Sequence, residues 1–118
     1  MSITFHLVPA SDYERRRRDG FYTPADYERD GFVHCTDGEF AVSAIANGRY
    51  HALDELLLVL AIEKDFLETP YFYEDERRIY PHVEGPIPLD AVVAVKAMIR
   101  DRLGDWIYPA LIPPASGI

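Results

Sequence analysis

The sequence predicts an α+β fold with a mixed or antiparallel sheet. Helix-start and helix-stop signals cluster in its first half, strand-like runs dominate the second, and no regular βαβ alternation links the two. No linker, repeat or low-complexity tract divides the 118 residues, so residues 1–118 are expected to fold as a single domain around one core. Hydrophobic residues make up 48% of the chain, enough apolar side chain to offset the entropy of ordering it.

From Ile3 to Val8 the residues alternate, with Ile3, Phe5 and Leu7 on one face and Thr4, His6 and Val8 on the other, the pattern of a half-buried strand. Pro9 ends it. Ser11 is the expected N-cap of a helix running to about Asp19, and Gly20 stands where a left-handed helix end is cheapest. Phe21–Thr23 reads as a short strand, and Pro24 and Gly31 bracket a turn or brief helix. Phe32–Cys35 reads as another strand, followed by Thr36 and Glu39 at capping-box spacing for a helix to about Ala46, where Asn47 and Gly48 stop it.

The run ELLLVLAIE, Glu55 to Glu63, is apolar on both faces and lacks flanking helix signals, which predicts a central strand. Tyr71–Glu74 and Ile79–Val83 are short aromatic-rich strand candidates, and Val92–Ile99 is a second continuous apolar strand. The proline-rich GPIPLD and the tail PALIPPASGI read as a turn and a terminus. Gly85, Pro86 and Pro88 should set a rigid turn that fixes where His82 points.

A net charge of -8 repels phosphate backbones and argues against general nucleic-acid binding. Arg15, Arg16, Arg17 and Arg18 would point in all directions around a helix, so they read as a solvated face flanked by Glu14 and Asp19. A single cysteine, Cys35, has no internal disulfide partner. MSITFHLVPA has neither a basic leader nor a long apolar run, so the expectation is a soluble cytoplasmic protein without membrane contact.

The chemistry rests on histidines. His6 lies on the less apolar face of the first strand, His34 at a strand end and His82 between a strand and a proline-bounded turn, whereas His51 falls in a polar loop. Three imidazoles in strand settings suggest a shared cleft. No HxH, HExxH or HxxxH pair occurs, so no metal site is expected. Cys35 and His34 are strand neighbours that point to opposite faces, which removes a thiol–imidazole pair and places Cys35 in the core behind a cleft-facing His34. Spaced imidazoles on a sheet instead suit hydrogen bonding to ribose hydroxyls and electrostatic support of glycosyl transfer.

The segments TFHLVP, GFVHCTDGE and YPHVEGPIPLDAVVAV resemble an uncharacterised bacterial family, domain-of-unknown-function family 952, over Ile3 to about Ile99. That family is similar in fold to ADP-ribosyltransferases and to RNA 2'-phosphotransferases. The resemblance implies an ADP-ribosyltransferase-like arrangement of split sheets around an NAD-holding cleft, with NAD as co-substrate. It further implies His6, His34 and His82 as catalytic residues lining one cleft, with His6, Thr36 and Glu74 contacting the cofactor. No residue matches by motif the late catalytic glutamate of many ADP-ribosyltransferases, and the four-arginine run lies outside the matching segments.

The function expected from this is an NAD-using ADP-ribosyl or glycosyl transferase acting on a nucleotide or small metabolite. The alternative is a non-catalytic module that binds such a molecule. Asp37 and Glu39 already complement the dipole at the helix start after Thr36, so NAD phosphates are expected to lie away from that turn.

Overall fold

The computed structural model describes residues 2–111. Its central sheet is built from β1 (Ile3–Pro9), which pairs along its length with β5 (Leu57–Glu63), itself flanked on the other side by β9 (Val92–Ala97). ELLLVLAIE is therefore the central strand, and both of its faces are covered. On one face Phe5, Leu7, Leu57 and Val59 pack against Val42 and Ala46 of the helix Glu39–Tyr50, with Trp106 and Tyr108. On the other, Val8, Leu60 and Ile62 pack against Tyr22, Val33, Cys35, Val83 and Ile87. The first strand is accordingly buried on both faces, not half-buried, because small sheets cover the side that carries Thr4 and His6.

After β1 come the helix α1 (Ala10–Arg16) and the two-residue strands β2 (Arg17–Arg18) and β3 (Phe21–Tyr22). The short helix α2 (Tyr27–Asp30), β4 (Val33–His34) and α3 (Glu39–Tyr50) complete the first half. The second half adds β6 (Tyr71–Tyr73), β7 (Pro81–Val83), β8 (Ile87–Pro88), β10 (Ile99–Arg100) and β11 (Trp106–Ile107). The sheet orders are β1-β5-β9, β2-β3-β8, β4-β7-β6 and β10-β11, and every pairing is antiparallel. The class is α+β, with the three α-helices of the described residues in the first half of the chain.

Several boundaries depart from the sequence expectation for identifiable reasons. The first helix stops at Arg16 because Arg17 and Arg18 pair with Tyr22 and Phe21, and Gly20, at φ +85°, serves the β2–β3 turn instead of a helix end. Ser11 lies inside the helix and does not cap it; its amide and hydroxyl bond Glu55, each at 3.0 Å. Of the four arginines, Arg15 pairs with Asp12, Arg17 with Glu14, and Arg16 donates to the carbonyls of Thr23 and Pro24.

The helix after Thr36 starts at Glu39 with Gly38 as its N-cap, so the capping box does not form; the Thr36 backbone is committed to a bridge with Phe5. Nor do Asn47 and Gly48 stop this helix, which runs on to Tyr50. The Asn47 side chain spends its turn-forming capacity elsewhere, donating to the Trp106 carbonyl at 2.9 Å and accepting from the Trp106 amide at 2.6 Å. Val92–Ile99 is split, since β9 ends at Ala97 and Ile99 joins β10. It is also an edge strand, which leaves Val93 and Val95 about half exposed, at 50% and 47%. PALIPPASGI enters a 3₁₀ turn, Pro109–Leu111, and its remaining residues lie outside those described.

Candidate functional site

The site forms where the central sheet meets the β4-β7-β6 sheet. The two are joined by a single antiparallel bridge in which Phe5 and Thr36 exchange both amide–carbonyl bonds at 2.8 Å. That bridge sets His6, one residue past Phe5, beside His34, two residues before Thr36. Their meeting is between side chain and backbone: His6 Nδ1 lies 2.6 Å from the His34 carbonyl oxygen, and His6 Nε2 lies 2.8 Å from the Tyr22 hydroxyl. A carbonyl only accepts, so Nδ1 carries the proton, and Nε2 accepts from Tyr22. Both ring nitrogens are thereby occupied. Burial is the main reason the His6 pKa falls to about 4, against the opposing effect of the bond to His34, so the imidazole is neutral.

His34 points the other way. Gly31, in the left-handed region at φ +78°, ends α2 and turns the chain directly into β4. That reversal brings Asp30 back onto the residue four positions later, and His34 Nε2 donates to Asp30 Oδ2 at 2.9 Å. Hydrogen bonds from Arg29 and then His34 hold the Asp30 carboxyl down at about 2, so it acts only as an acceptor. It fixes the orientation of the His34 ring through Nε2.

Strand pairing places His82 opposite His34 on the same sheet face, with ring centroids 5.3 Å apart, and Phe72 opposite His82. The His82 ring stacks on Phe32 at 3.9 Å and 9° between planes, and its Nδ1 is buried without a hydrogen-bond partner. Its pKa is lowered, first by burial and then by the neighbouring His34. Cys35 turns inward, 2% exposed, and burial pushes its thiol up to about 12, so it is a core side chain and not a nucleophile.

Two cavities flank this junction. The first, about 230 Å³, is bordered by His6, Tyr22, Asp26, His34 and Tyr50. The second, about 360 Å³, is bordered by His34, Glu74, Asp75, Tyr80 and His82. His34, Thr36, Ile45 and Arg49 border both and make the wall between them. The expected residues are thus divided: His6 belongs to the first cavity, His82 and Glu74 to the second, and His34 and Thr36 to both. Asp30, Tyr22 and Arg49 went unnoticed in the sequence. Asp30 alone left a signal, an acid four residues before His34 across a glycine; the other two are brought in by tertiary contacts between distant segments. Among the described residues no group of three or more His, Cys, Asp or Glu is placed to hold a metal ion, and no helix is long and apolar enough to cross a membrane.

Comparison with known proteins gives a family and a fold. The family described as "Protein of unknown function (DUF952)" matches residues 7–95. The crystal structure of protein CC0527 from Caulobacter crescentus is similar at a TM-score of 0.75 and 18% sequence identity, covering 89% of this chain and 93% of that one. The solution structure of CC0527 from the same organism gives a TM-score of 0.70 and 19% identity, covering 89% and 91%. At this identity the likeness is one of fold. No curated protein matches the chain.

Proposed function

The chain belongs to the DUF952 family of proteins of unknown function, and from its site we propose an NAD-using ADP-ribosyl or glycosyl transferase-like enzyme. One observation carries this reading: two histidine-bearing strands from different sheets meet at the Phe5–Thr36 bridge, over a cavity bordered by His6, His34 and Thr36. A cleft between split sheets is the arrangement the ADP-ribosyltransferase resemblance implies. NAD would supply an activated N-glycosidic bond. In this reading His34, held by Asp30 through Nε2, offers the first cavity's contents its Nδ1 as a hydrogen-bonding partner for a ribose hydroxyl. Thr36 borders the same space, and Arg49, 3.5 Å from Asp26, supplies a cation at the wall. The unsatisfied Nδ1 of His82 is a second imidazole without an internal partner near the junction. His6 then acts by position, tying Tyr22 and the His34 carbonyl together under the cavity floor.

The alternative, a non-catalytic nucleotide or metabolite module, is favoured by one feature: both His6 nitrogens are used internally, as in a structural imidazole. Calorimetric NAD binding and release of nicotinamide by wild type, His34→Ala and Asp30→Ala separate the readings. The transferase reading expects wild type to bind and consume NAD, His34→Ala to fold yet lose binding about tenfold, and Asp30→Ala to retain binding with slowed turnover. Binding without consumption selects the module. Neither binding nor consumption removes NAD from the account.

A further inference from the structure

We propose that the second cavity is a binding site for a small organic cation carrying several N–H donors, an alkylamine or alkylguanidine. The inference rests on what the walls of this 360 Å³ space leave unpaired. None of the ion pairs among the described residues uses Glu74, although it stands at the end of β6 near enough to His82 to act on its charge. Asp75 accepts from the amides of Ile79 and Tyr80 at 2.8 and 3.0 Å, which holds its carboxyl below the usual range and keeps a second negative charge on the wall. His82 borders the same space with a buried Nδ1 that has no hydrogen-bond partner among the described residues, and burial lowers its pKa, so this nitrogen is an acceptor.

The one cationic lining group, Arg49, is already engaged with Asp26 and lies over the Tyr50 ring at 5.5 Å. Two carboxylates thus border the space beside one guanidinium that already has a carboxylate partner. A ligand rich in donors and positively charged satisfies them, while an anion would meet Glu74 and Asp75. Aromatic groups, Tyr80 and His82, border the same cavity and suit the apolar stem of such a cation.

The test uses the full chain and four probes of similar size: butylguanidine, butylamine, butanol and butyrate. Side-chain imidazole resonances of His34 and His82 should shift saturably with butylguanidine or butylamine while His51 stays still, and butanol and butyrate should give no saturable shift. Glu74→Gln, an exposed position whose fold is checked by thermal unfolding, should weaken the cation about tenfold. The proposal is overturned if neither cation saturates the two histidines, if butyrate binds as well as the amine, or if Glu74→Gln leaves the affinity unchanged. An NAD titration of wild-type protein runs separately. Cation binding without NAD binding ends the transferase reading and keeps this site; NAD binding without cation binding does the reverse.

Discussion

His6 is a histidine whose structural part can be measured. Replacing it with Ala removes two hydrogen bonds, orphans the Tyr22 hydroxyl and the His34 carbonyl, and leaves a hole in a buried strand, so His6→Ala is expected to destabilise the fold by about 2–4 kcal/mol in urea unfolding. Its pKa falls from 6.5 to about 4 on folding. Between those values the unfolded chain binds a proton that the folded chain does not, so stability rises with pH through this window. The contribution, about 3 kcal/mol for such a shift, is complete above the unfolded value and is lost as the pH falls toward 4. Urea midpoints measured from pH 7 to pH 4.5 should drop more steeply for wild type than for His6→Ala. Equal slopes would place the imidazole's burial cost elsewhere.

At the scale of elements, short strands hold their register through local close contacts. Gly85, in the turn between β7 and β8, sits so near Thr69 that an added Cβ would lie 2.4 Å from the Thr69 methyl carbon. Its need for glycine is therefore steric, and not a matter of positive φ. Gly85→Ala should cost about 1–3 kcal/mol. Thr69→Ala, which removes the methyl and a buried hydroxyl that has no partner, should recover part of that loss in the double variant. Additive losses in the thermodynamic cycle would show that the two residues do not meet. The prolines around this turn suggested rigidity from the sequence, but the contact with Thr69 comes from a segment of no recognisable motif.

For the whole molecule, the seam between the central sheet and the β4-β7-β6 sheet is held by more than apolar packing. Besides the Phe5–Thr36 bridge, it is crossed by a small polar cluster: Asp37 Oδ2 accepts from Tyr73 at 2.5 Å and from Lys64 at 3.2 Å, and Lys64 also donates to Tyr73 at 2.8 Å. Lys64 follows β5 of the central sheet and its side chain is 8% exposed, whereas Tyr73 ends β6 of the other sheet. Lys64→Met should leave the Asp37 carboxylate without its counter-charge and destabilise the domain by about 2–4 kcal/mol. Amide hydrogen exchange should show faster opening of Tyr71–Tyr73 than of Leu57–Glu63. Uniform acceleration over both strands would mean that the cluster does not join separate parts.

Part of this was legible in the chain. Alternation in ITFHLV, the doubly apolar ELLLVLAIE and the short aromatic runs determined the α+β class, the central strand and an inward Cys35 behind an outward His34, because strand periodicity is a local property of the backbone. Local signals failed where a distant partner outbid them: Thr36 gave up a helix cap for a bridge to Phe5, and Asn47 gave up a helix stop for the backbone of Trp106. The site followed the same rule. The sequence supplied its histidines, but only tertiary structure decided that His6 is consumed by Tyr22 and the His34 carbonyl, that Asp30 orients His34, and that His82 faces a second cavity. Those outcomes depend on which sheets meet and in what register, and a side chain's free hydrogen-bonding capacity exists only after its neighbours have taken their share.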